Sequence, residues 1–178
     1  MNDMPKLLLT TAASLLICGV ASVAPAQERK SPHETVAADL GGHRVTITYG
    51  RPYMHGRKIV GALVPYGKVW RTGADEATTI QTDVDLDING LKVPKGEYAL
   101  FTLPAKDGWT LIVNKTAKQW GAFDYKESDD LGRTKMEVSK SGSPVEEFTI
   151  SLRPYGNGAA LRLEWENTVA TAMVKVAQ

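Results

Sequence analysis

The amino-acid sequence predicts an all-β fold, a single antiparallel β-sandwich or barrel-like domain of about ten short strands. Three observations predict it. Apolar and polar residues alternate with a period of two, Gly and Pro turns separate the alternating runs, and no long apolar stripe with a period of 3.6 residues occurs. Residues 27–178 contain no repeat, low-complexity segment or linker, so we predict that they form one domain.

Residues 1–26 predict a cleaved signal peptide that is not part of this fold. Lys6 precedes an apolar run, and the sequence Ala-Pro-Ala at residues 24–26 places small residues before Gln27. The run is shorter than the roughly 20 residues that a membrane-spanning helix needs. The single cysteine, Cys18, lies within it, so the mature chain has no disulfide. We expect a periplasmic or secreted protein with no membrane insertion after cleavage.

The first alternating runs predict half-buried strands. "ETVAADL" and "HRVTITYG" alternate, and "ATTIQTDVDLDI" (77–88) directs apolar residues to one face and Asp83, Asp85 and Asp87 to solvent. We predict one half-buried strand over 77–88. Asn89-Gly90 follows it, and this pair favours a two-residue hairpin turn with positive φ at both positions.

The later runs complete the sheet. "EYALFTLPA" is apolar on both faces, which is typical of a central strand, and "WTLIVNKT", "RTKMEVSK", "VEEFTISLRPY", "ALRLEWE" and "TAMVKVA" follow as separate strands. Two stretches do not alternate, residues 50–67 and 116–132, and long connections of this kind often carry function. The predicted core contains Ile80, Val84, Leu86, Leu100, Phe101, Leu111 and Val113.

Four segments resemble a known bacterial family. "SPHETVAADLGGHRVTITYGRP", "GRKIVGALVPYGKVWRTGADEATTI", "VPKGEYALFTLP" and "KQWGAF" are similar to the secreted domain of unknown function 2911 (DUF2911), although Asp75 stands where Asn is expected. The resemblance covers nearly all of the mature chain. It implies an exported bacterial protein and brings no established activity, so the chemistry has to be argued from the residues.

Several kinds of chemistry are excluded or disfavoured by the sequence. No catalytic thiol remains after cleavage, and no G-x-S-x-G, H-E-x-x-H, P-loop or G-x-G-x-x-G motif occurs. We predict no metal site and no cofactor, because the three histidines are sparse and the aspartates of 83–87 fit a solvated strand better than a calcium loop. The net charge of +1 argues against a nucleic-acid partner.

The order of charges along the chain points to a candidate site. No acidic residue lies between Asp39 and Asp75, a stretch that contains six basic residues, and residues 75–87 then contain five acids and no base. In a structural interpretation these charges pair, Arg71 with Glu76 and Arg57 with an aspartate, and hold the loops in place. In a functional interpretation they line a polar pocket in which Arg binds an anion and a carboxylate accepts hydroxyl hydrogens.

We expect one pocket to contain the candidate ligand-binding residues and Gly73 to provide its sharp turn. Trp120, in the long connection, is the preferred flat platform, whereas Trp109 and Trp165 are predicted to be packing residues, and His33 and His43 to be exposed and inert. The catalytic residues, if there are any, are not identified. The candidates are Arg51, His55, Arg57, Trp70, Arg71, Asp75, Glu76 and Trp120.

Three functions remain open at the level of sequence. The first is a binding module for a small polar or anionic ligand such as a sugar or sugar acid. The second is a hydrolase or lyase that uses Asp75 or Glu76 with His55, although adjacent strand residues point to opposite faces and pair poorly unless the loop twists. The third is an envelope structural or interaction protein.

Overall fold

The computed structural model describes residues 31–178, so the predicted signal peptide and its cleavage point lie outside the described residues. These residues form nine β-strands, one 3₁₀-helix and no α-helix. The elements are β1 (His33–Leu40), β2 (His43–Gly50), β3 (Thr78–Thr82), β4 (Leu86–Ile88), β5 (Leu91–Val93), β6 (Gly96–Pro104), β7 (Trp109–Asn114), the 3₁₀-helix (Glu127–Asp129), β8 (Asp130–Tyr155) and β9 (Gly158–Val176).

All nine strands belong to one antiparallel sheet with the order β1-β2-β3-β6-β7-β8-β9-β4-β5. The two long strands connect its halves, because β8 pairs first with β7 and then with β9, and the end of β9 pairs with β4. The sheet is open, with β1 and β5 at its edges. The predicted fold class, an all-β antiparallel domain of sandwich-like or barrel-like form, is confirmed.

Contacts between β2 and the middle of β8 fold the sheet over its own core. Directly after β2, Met54 N donates to Glu146 O (2.8 Å) and Phe148 N donates to Pro52 O (2.9 Å). The Tyr49 hydroxyl accepts from Ile150 N (2.9 Å) across the same junction. The apolar core between the two halves therefore draws side chains from both, among them Ile47, Ile80, Leu100, Leu111, Phe148, Leu161 and Val174.

The predicted central strand is confirmed, since β6 lies between β3 and β7 and is buried on both faces. Leu100 faces the main core, whereas Phe101 packs with Ala77 and Ile112 in a smaller cluster on the other face. Residues of the long 116–132 connection, including Tyr125, cover this cluster. The connection is thus a lid of packed side chains over the outer face of the sheet.

The prediction of one continuous strand over residues 77–88 is wrong. β3 ends at Thr82 and pairs with β2 and β6, whereas β4 begins at Leu86 and pairs with β5 and β9. The Thr82 hydroxyl donates to Val84 O (2.7 Å) and accepts from Val84 N (3.2 Å), which closes a tight turn. Val84 is therefore half-buried, while the other six predicted core residues are buried.

The nine strands agree with the prediction of about ten, but two of them are long. Four predicted runs join into β8, of 26 residues, and β9, of 19 residues. The polar residues that separate the runs form bulges instead of turns, because the pairing shifts on either side of Val145, and Glu166 opposite it has a φ of +53°. A bulge absorbs extra residues without ending the strand.

The Asn89-Gly90 hairpin is confirmed, with φ values of +48° and +88° between β4 and β5. Asp87, predicted to face solvent, is instead buried beside this turn. Its Oδ1 accepts from Gly90 N at 2.8 Å, and its Oδ2 lies 3.2 Å from Lys92 Nζ. The Gly90 hydrogen bond, with help from Lys92, lowers the pKa of Asp87.

Candidate functional site: two cavities beside residues 73–77

The loop after Trp70 owes its shape to two residues with left-handed backbone. Trp70 exchanges two backbone hydrogen bonds with Thr102 of β6 (2.8 and 2.9 Å). Thr72 then has a φ of +57° and Asp75 a φ of +62°. A β-branched residue in this region is a strained outlier, and such strain is concentrated at functional sites. The loop therefore reverses direction at non-glycine residues.

Gly73 does not act as the hinge that the sequence suggested, because it has no positive φ. It permits a close backbone approach: a Cβ at Gly73 would lie 2.9 Å from Gly50 O, and a Cβ at Gly50 would collide with Ala74 O. Ala74 N donates to Gly50 O across this contact (3.2 Å). The two glycines thus let residues 73–77 lie against the end of β2.

Residues 119–121 pair with the same loop from its other side. Gly121 N donates to Asp75 O and Ala77 N donates to Gln119 O, both at 3.0 Å. Glu76 and Trp120 lie opposite each other between these two hydrogen bonds. In such a non-hydrogen-bonded antiparallel pair the two side chains lie close together on one side of the backbone.

His33 brings the two neighbouring carboxylates together. Its Nε2 lies 3.3 Å from Asp75 Oδ2 and 3.4 Å from Glu76 Oε2, and its side chain is 19% exposed. The expectation that His33 is exposed is therefore wrong. No sequence signal identified it, because the contact spans more than 40 residues and depends on the register of β1 and β2. The left-handed Asp75 allows both carboxylates to reach one imidazole.

The first cavity, which we call the Arg71 cavity, has a volume of about 430 Å³ and lies between this loop and residues 52–64. Five predicted site residues line it. Trp70 and Trp165 form an apolar wall, with their rings stacked at 5.9 Å and an interplanar angle of 17°. The five predicted residues are His55, Arg57, Trp70, Arg71 and Asp75.

Arg71 is the unusual charge in this cavity. Its Nε is buried and has no hydrogen-bond partner, and within residues 31–178 no carboxylate lies at ion-pair distance from its guanidinium. Burial lowers the pKa of Arg71, and the nearby negative charge of Asp75 opposes that shift. The predicted Arg71–Glu76 ion pair is therefore absent. A desolvated cation without a counter-ion is costly unless an anion joins it.

Arg57 adds a second positive charge to the Arg71 cavity. Its Nε donates to Met54 O (3.0 Å) and its Nη2 donates to Tyr53 O (2.7 Å), so the backbone holds the side chain in place. Among the described residues it forms no ion pair, and the predicted pairing with an aspartate is absent. His55 lies exposed at the rim, and its backbone N donates to Glu146 Oε1 (2.8 Å).

The second cavity, which we call the Trp120 cavity, has a volume of about 450 Å³ and lies on the outer face of β2, β3 and β6. It contains the predicted residues Glu76 and Trp120, together with His33. The other lining residues were not candidates from the sequence, and they project outward from the sheet or belong to the 116–132 connection. They include Thr48, Thr79, Glu97, Lys118 and Gln119.

Arg51 belongs to neither cavity. Its guanidinium pairs with Glu34 (2.6 Å) and Glu147 (3.2 Å), and its Nε donates to Phe148 O (3.2 Å). It therefore fastens β1 and β2 to β8, which is the structural role that ion pairs were expected to play. The expected single pocket is thus two cavities, one lined by residues 73–75 and the other by residues 76 and 77, with Arg51 outside both. Trp109 and Trp165 are buried as predicted.

Two further findings concern the described residues as a whole. Within residues 31–178, no group of three His, Cys, Asp or Glu side chains is arranged to hold a metal ion. No helix in this part of the chain has the length and apolar character needed to cross a membrane.

Comparison with known proteins identifies a family without an assigned activity. Residues 31–174 match the family described as "Protein of unknown function (DUF2911)". Comparisons with curated proteins and with solved structures give no match.

Proposed function

The chain belongs to the DUF2911 family, whose description assigns no activity, and we propose from the Arg71 cavity that it is a binding protein for a small sugar acid. We also propose that it acts after export, in the periplasm or outside the cell, because residues 1–26 have the pattern of a cleaved signal peptide. The ligand class follows from the charges and surfaces of the cavity.

The observation that carries the proposal is the unpaired guanidinium of Arg71. Its Nε is buried without a partner, and Arg57 beside the same cavity is held by backbone carbonyls and not by a carboxylate. Among residues 31–178 neither guanidinium has a carboxylate at ion-pair distance, and this favours an anionic ligand. A planar guanidinium matches the two oxygens of a carboxylate, and such charge-assisted hydrogen bonds are about twice as strong as neutral ones.

The remaining lining favours a sugar acid over a simple inorganic anion. Trp70 and Trp165 offer apolar surface for the C–H face of a ring, and Asp75 offers a carboxylate that accepts hydrogens from hydroxyl groups. A volume of about 430 Å³ falls within the usual range for small-molecule sites. The strained backbone at Thr72 and Asp75 flanks the residues that would hold the ligand.

A hydrolase or lyase acting on the same ligand is the second candidate. Asp75 and His55 both line the Arg71 cavity, and a carboxylate and an imidazole in one cavity are groups that transfer protons. His33 lies 3.3 Å from Asp75 but lines the Trp120 cavity, so it would position that carboxylate and not contact the ligand. Turnover of a bound sugar acid would distinguish this activity from binding alone.

The proposal is tested by calorimetric titration of residues 27–178 with D-galacturonate and D-glucuronate, and with D-galactose and D-glucose as uncharged counterparts. We expect the wild-type protein to bind at least one acid. Arg71→Lys keeps the charge and loses the planar two-pronged donor, so we expect its affinity for that acid to fall by about 10-fold to 100-fold.

Arg51→Lys is the matched control, because Arg51 is a half-buried arginine of the same region that lines neither cavity. We expect it to lower the melting temperature and leave the affinity for the acid unchanged. Binding that is equal in the Arg71→Lys and wild-type proteins, or no binding of either acid, would contradict the proposal.

A further inference from the structure

The Trp120 cavity has a lining that differs in charge and chemistry from that of the Arg71 cavity. No arginine lines it, and its two carboxylates, Glu76 and Glu97, are accompanied by Lys118 at its edge. It therefore lacks the feature that favours an anion in the Arg71 cavity. The two cavities are separate spaces that have no lining residue in common.

Trp120 is held beside a hydrogen-bond acceptor by the backbone pairing. Because Glu76 and Trp120 lie opposite each other between the Gly121–Asp75 and Ala77–Gln119 hydrogen bonds, their side chains share one side of the loop. Trp120 is only half-buried and takes no part in the aromatic cluster around Trp70, so it presents part of its indole to the cavity.

The floor and walls of this cavity add polar groups that suit hydroxyl ligands. Thr48 and Thr79 are directly paired across β2 and β3, so their side chains lie side by side on the outer face of the sheet. Glu97 is exposed and, among residues 31–178, forms no ion pair. Gln119 Oε1 is buried without a hydrogen-bond partner in the same part of the chain.

We propose that the Trp120 cavity is a second ligand site that binds an uncharged sugar ring. The apolar face of the ring stacks on Trp120, and its hydroxyl groups donate to Glu76 and Glu97 and exchange hydrogen bonds with the threonine hydroxyls. A volume of about 450 Å³ accommodates a small ligand of this kind. The site is independent of the sugar-acid site proposed for the Arg71 cavity.

The test is a glycan array probed with labelled residues 27–178, followed by titration of the best uncharged glycan with a tryptophan-fluorescence readout. We expect uncharged glycans to bind, and Trp120→Ala to weaken that binding by at least about tenfold. Glu97→Gln alters an exposed side chain that forms no ion pair within the part of the chain that the structure describes, so it is expected to fold normally and to bind more weakly than wild type.

Phe123→Ala is the matched control, because Phe123 is an aromatic residue of the same connection, is 85% exposed and lines neither cavity. It should leave binding unchanged, as should Arg71→Lys. That result separates this site from the sugar-acid site, since glycan binding survives the variant that weakens binding of the acid. Absence of binding to uncharged glycans, binding only to amino sugars, or equal binding by the Glu97→Gln and wild-type proteins would overturn the proposal.

Discussion

At Arg71 the requirements of folding and of binding oppose each other. The guanidinium is partly desolvated, its Nε has no partner, and no carboxylate within the described residues pairs with it. Arg51, twenty residues earlier, has two carboxylate partners and a backbone carbonyl. Arg51 therefore fits the structural interpretation, in which ion pairs hold the loops in place. Arg71 fits the functional interpretation, in which an arginine binds an anion.

Replacement of Arg71 by an apolar residue should stabilise the protein. We expect Arg71→Met to raise the free energy of unfolding by about 0.5–2 kcal/mol, because it removes a partly desolvated charge with which no carboxylate of residues 31–178 forms an ion pair. Arg51→Met should instead lower it by about 1–3 kcal/mol, since it removes the donor that Glu34, Glu147 and the Phe148 carbonyl share. Chemical denaturation of both variants without ligand measures the difference. A larger loss in Arg71→Met than in Arg51→Met would show that Arg71 has a structural role.

The individual site residues were only partly predictable from sequence. The acid-free stretch before Asp75 indicated a surplus of cations, and Arg57 and Arg71 do line one cavity. The role of His33 was not predictable, because nothing in residues 31–35 indicates which distant loop they meet. The turn was assigned to Gly73, yet Thr72 and Asp75 adopt the left-handed backbone. Local residue preference did not predict this conformation, because the loop packs against distant parts of the chain.

At the scale of elements, the junction of β2 with β8 depends on a buried tyrosine. The Tyr49 hydroxyl accepts from Ile150 N at 2.9 Å and lies 3.3 Å from both Ile150 O and Glu34 Oε2. Burial is the main cause that raises the pKa of Tyr49 from 10.0 to about 12. The phenol is thus held in its protonated form at a contact between the two halves of the sheet.

This shift predicts an alkaline loss of stability. Because the pKa is higher in the folded state, the contribution of Tyr49 is fully present below pH 10, the unfolded value, and is lost as the pH rises towards 12. Tyr49→Phe should lower stability at pH 7 by about 1–3 kcal/mol, since it leaves Ile150 N unpaired. It should also make the decline between pH 10 and 12 shallower, which denaturation at several pH values measures.

Tyr155→Phe is the control for this measurement, because Tyr155 is 68% exposed and lies at the β8–β9 turn. It should match wild type at every pH. Part of the alkaline decline should remain in Tyr49→Phe, since burial and the neighbouring Asp130 also raise the pKa of Tyr125 to about 12. An unchanged slope in Tyr49→Phe would contradict the assignment of this titration to Tyr49.

Strand positions were predictable where alternation was uninterrupted, and strand ends were not. The β4–β5 hairpin followed from Asn89-Gly90, and the central position of β6 followed from its two apolar faces. The break at residues 83–85 was missed because Val84 preserves the alternation while the chain moves to another part of the sheet. The bulges near Val145 and Glu166 were interpreted as turns, since both features use the same small and polar residues.

At the scale of the whole molecule, the observed fold class is the one predicted from the composition and from the two-residue alternation of apolar and polar residues. Both cavities lie where the long connections meet the sheet. Alternation determines which face of each strand is buried, so it predicts the core. It does not specify how residues 50–77 and 116–132 approach each other. That approach depends on contacts such as the Gly50–Gly73 packing and the pairing of Glu76 with Trp120.

Export remains a prediction of the sequence at this scale. We expect the full-length chain, expressed in a bacterium, to be recovered from the envelope or medium with Gln27 as its first residue, because small residues at 24 and 26 precede that position. Intact mass and N-terminal sequencing measure this. A chain that keeps Met1 in the envelope fraction, or one that carries lipid on Cys18, would contradict it.

The central claim is that the Arg71 guanidinium binds the carboxylate of a sugar acid, and a crystal structure of residues 27–178 grown with saturating D-galacturonate or D-glucuronate tests it most directly. We expect a sugar acid in the Arg71 cavity, with its carboxylate oxygens about 2.7–2.9 Å from Arg71 nitrogens and its ring against Trp70. A cavity that contains no sugar acid, or a carboxylate bound away from Arg71, would show that Arg71 is not the anion-binding group.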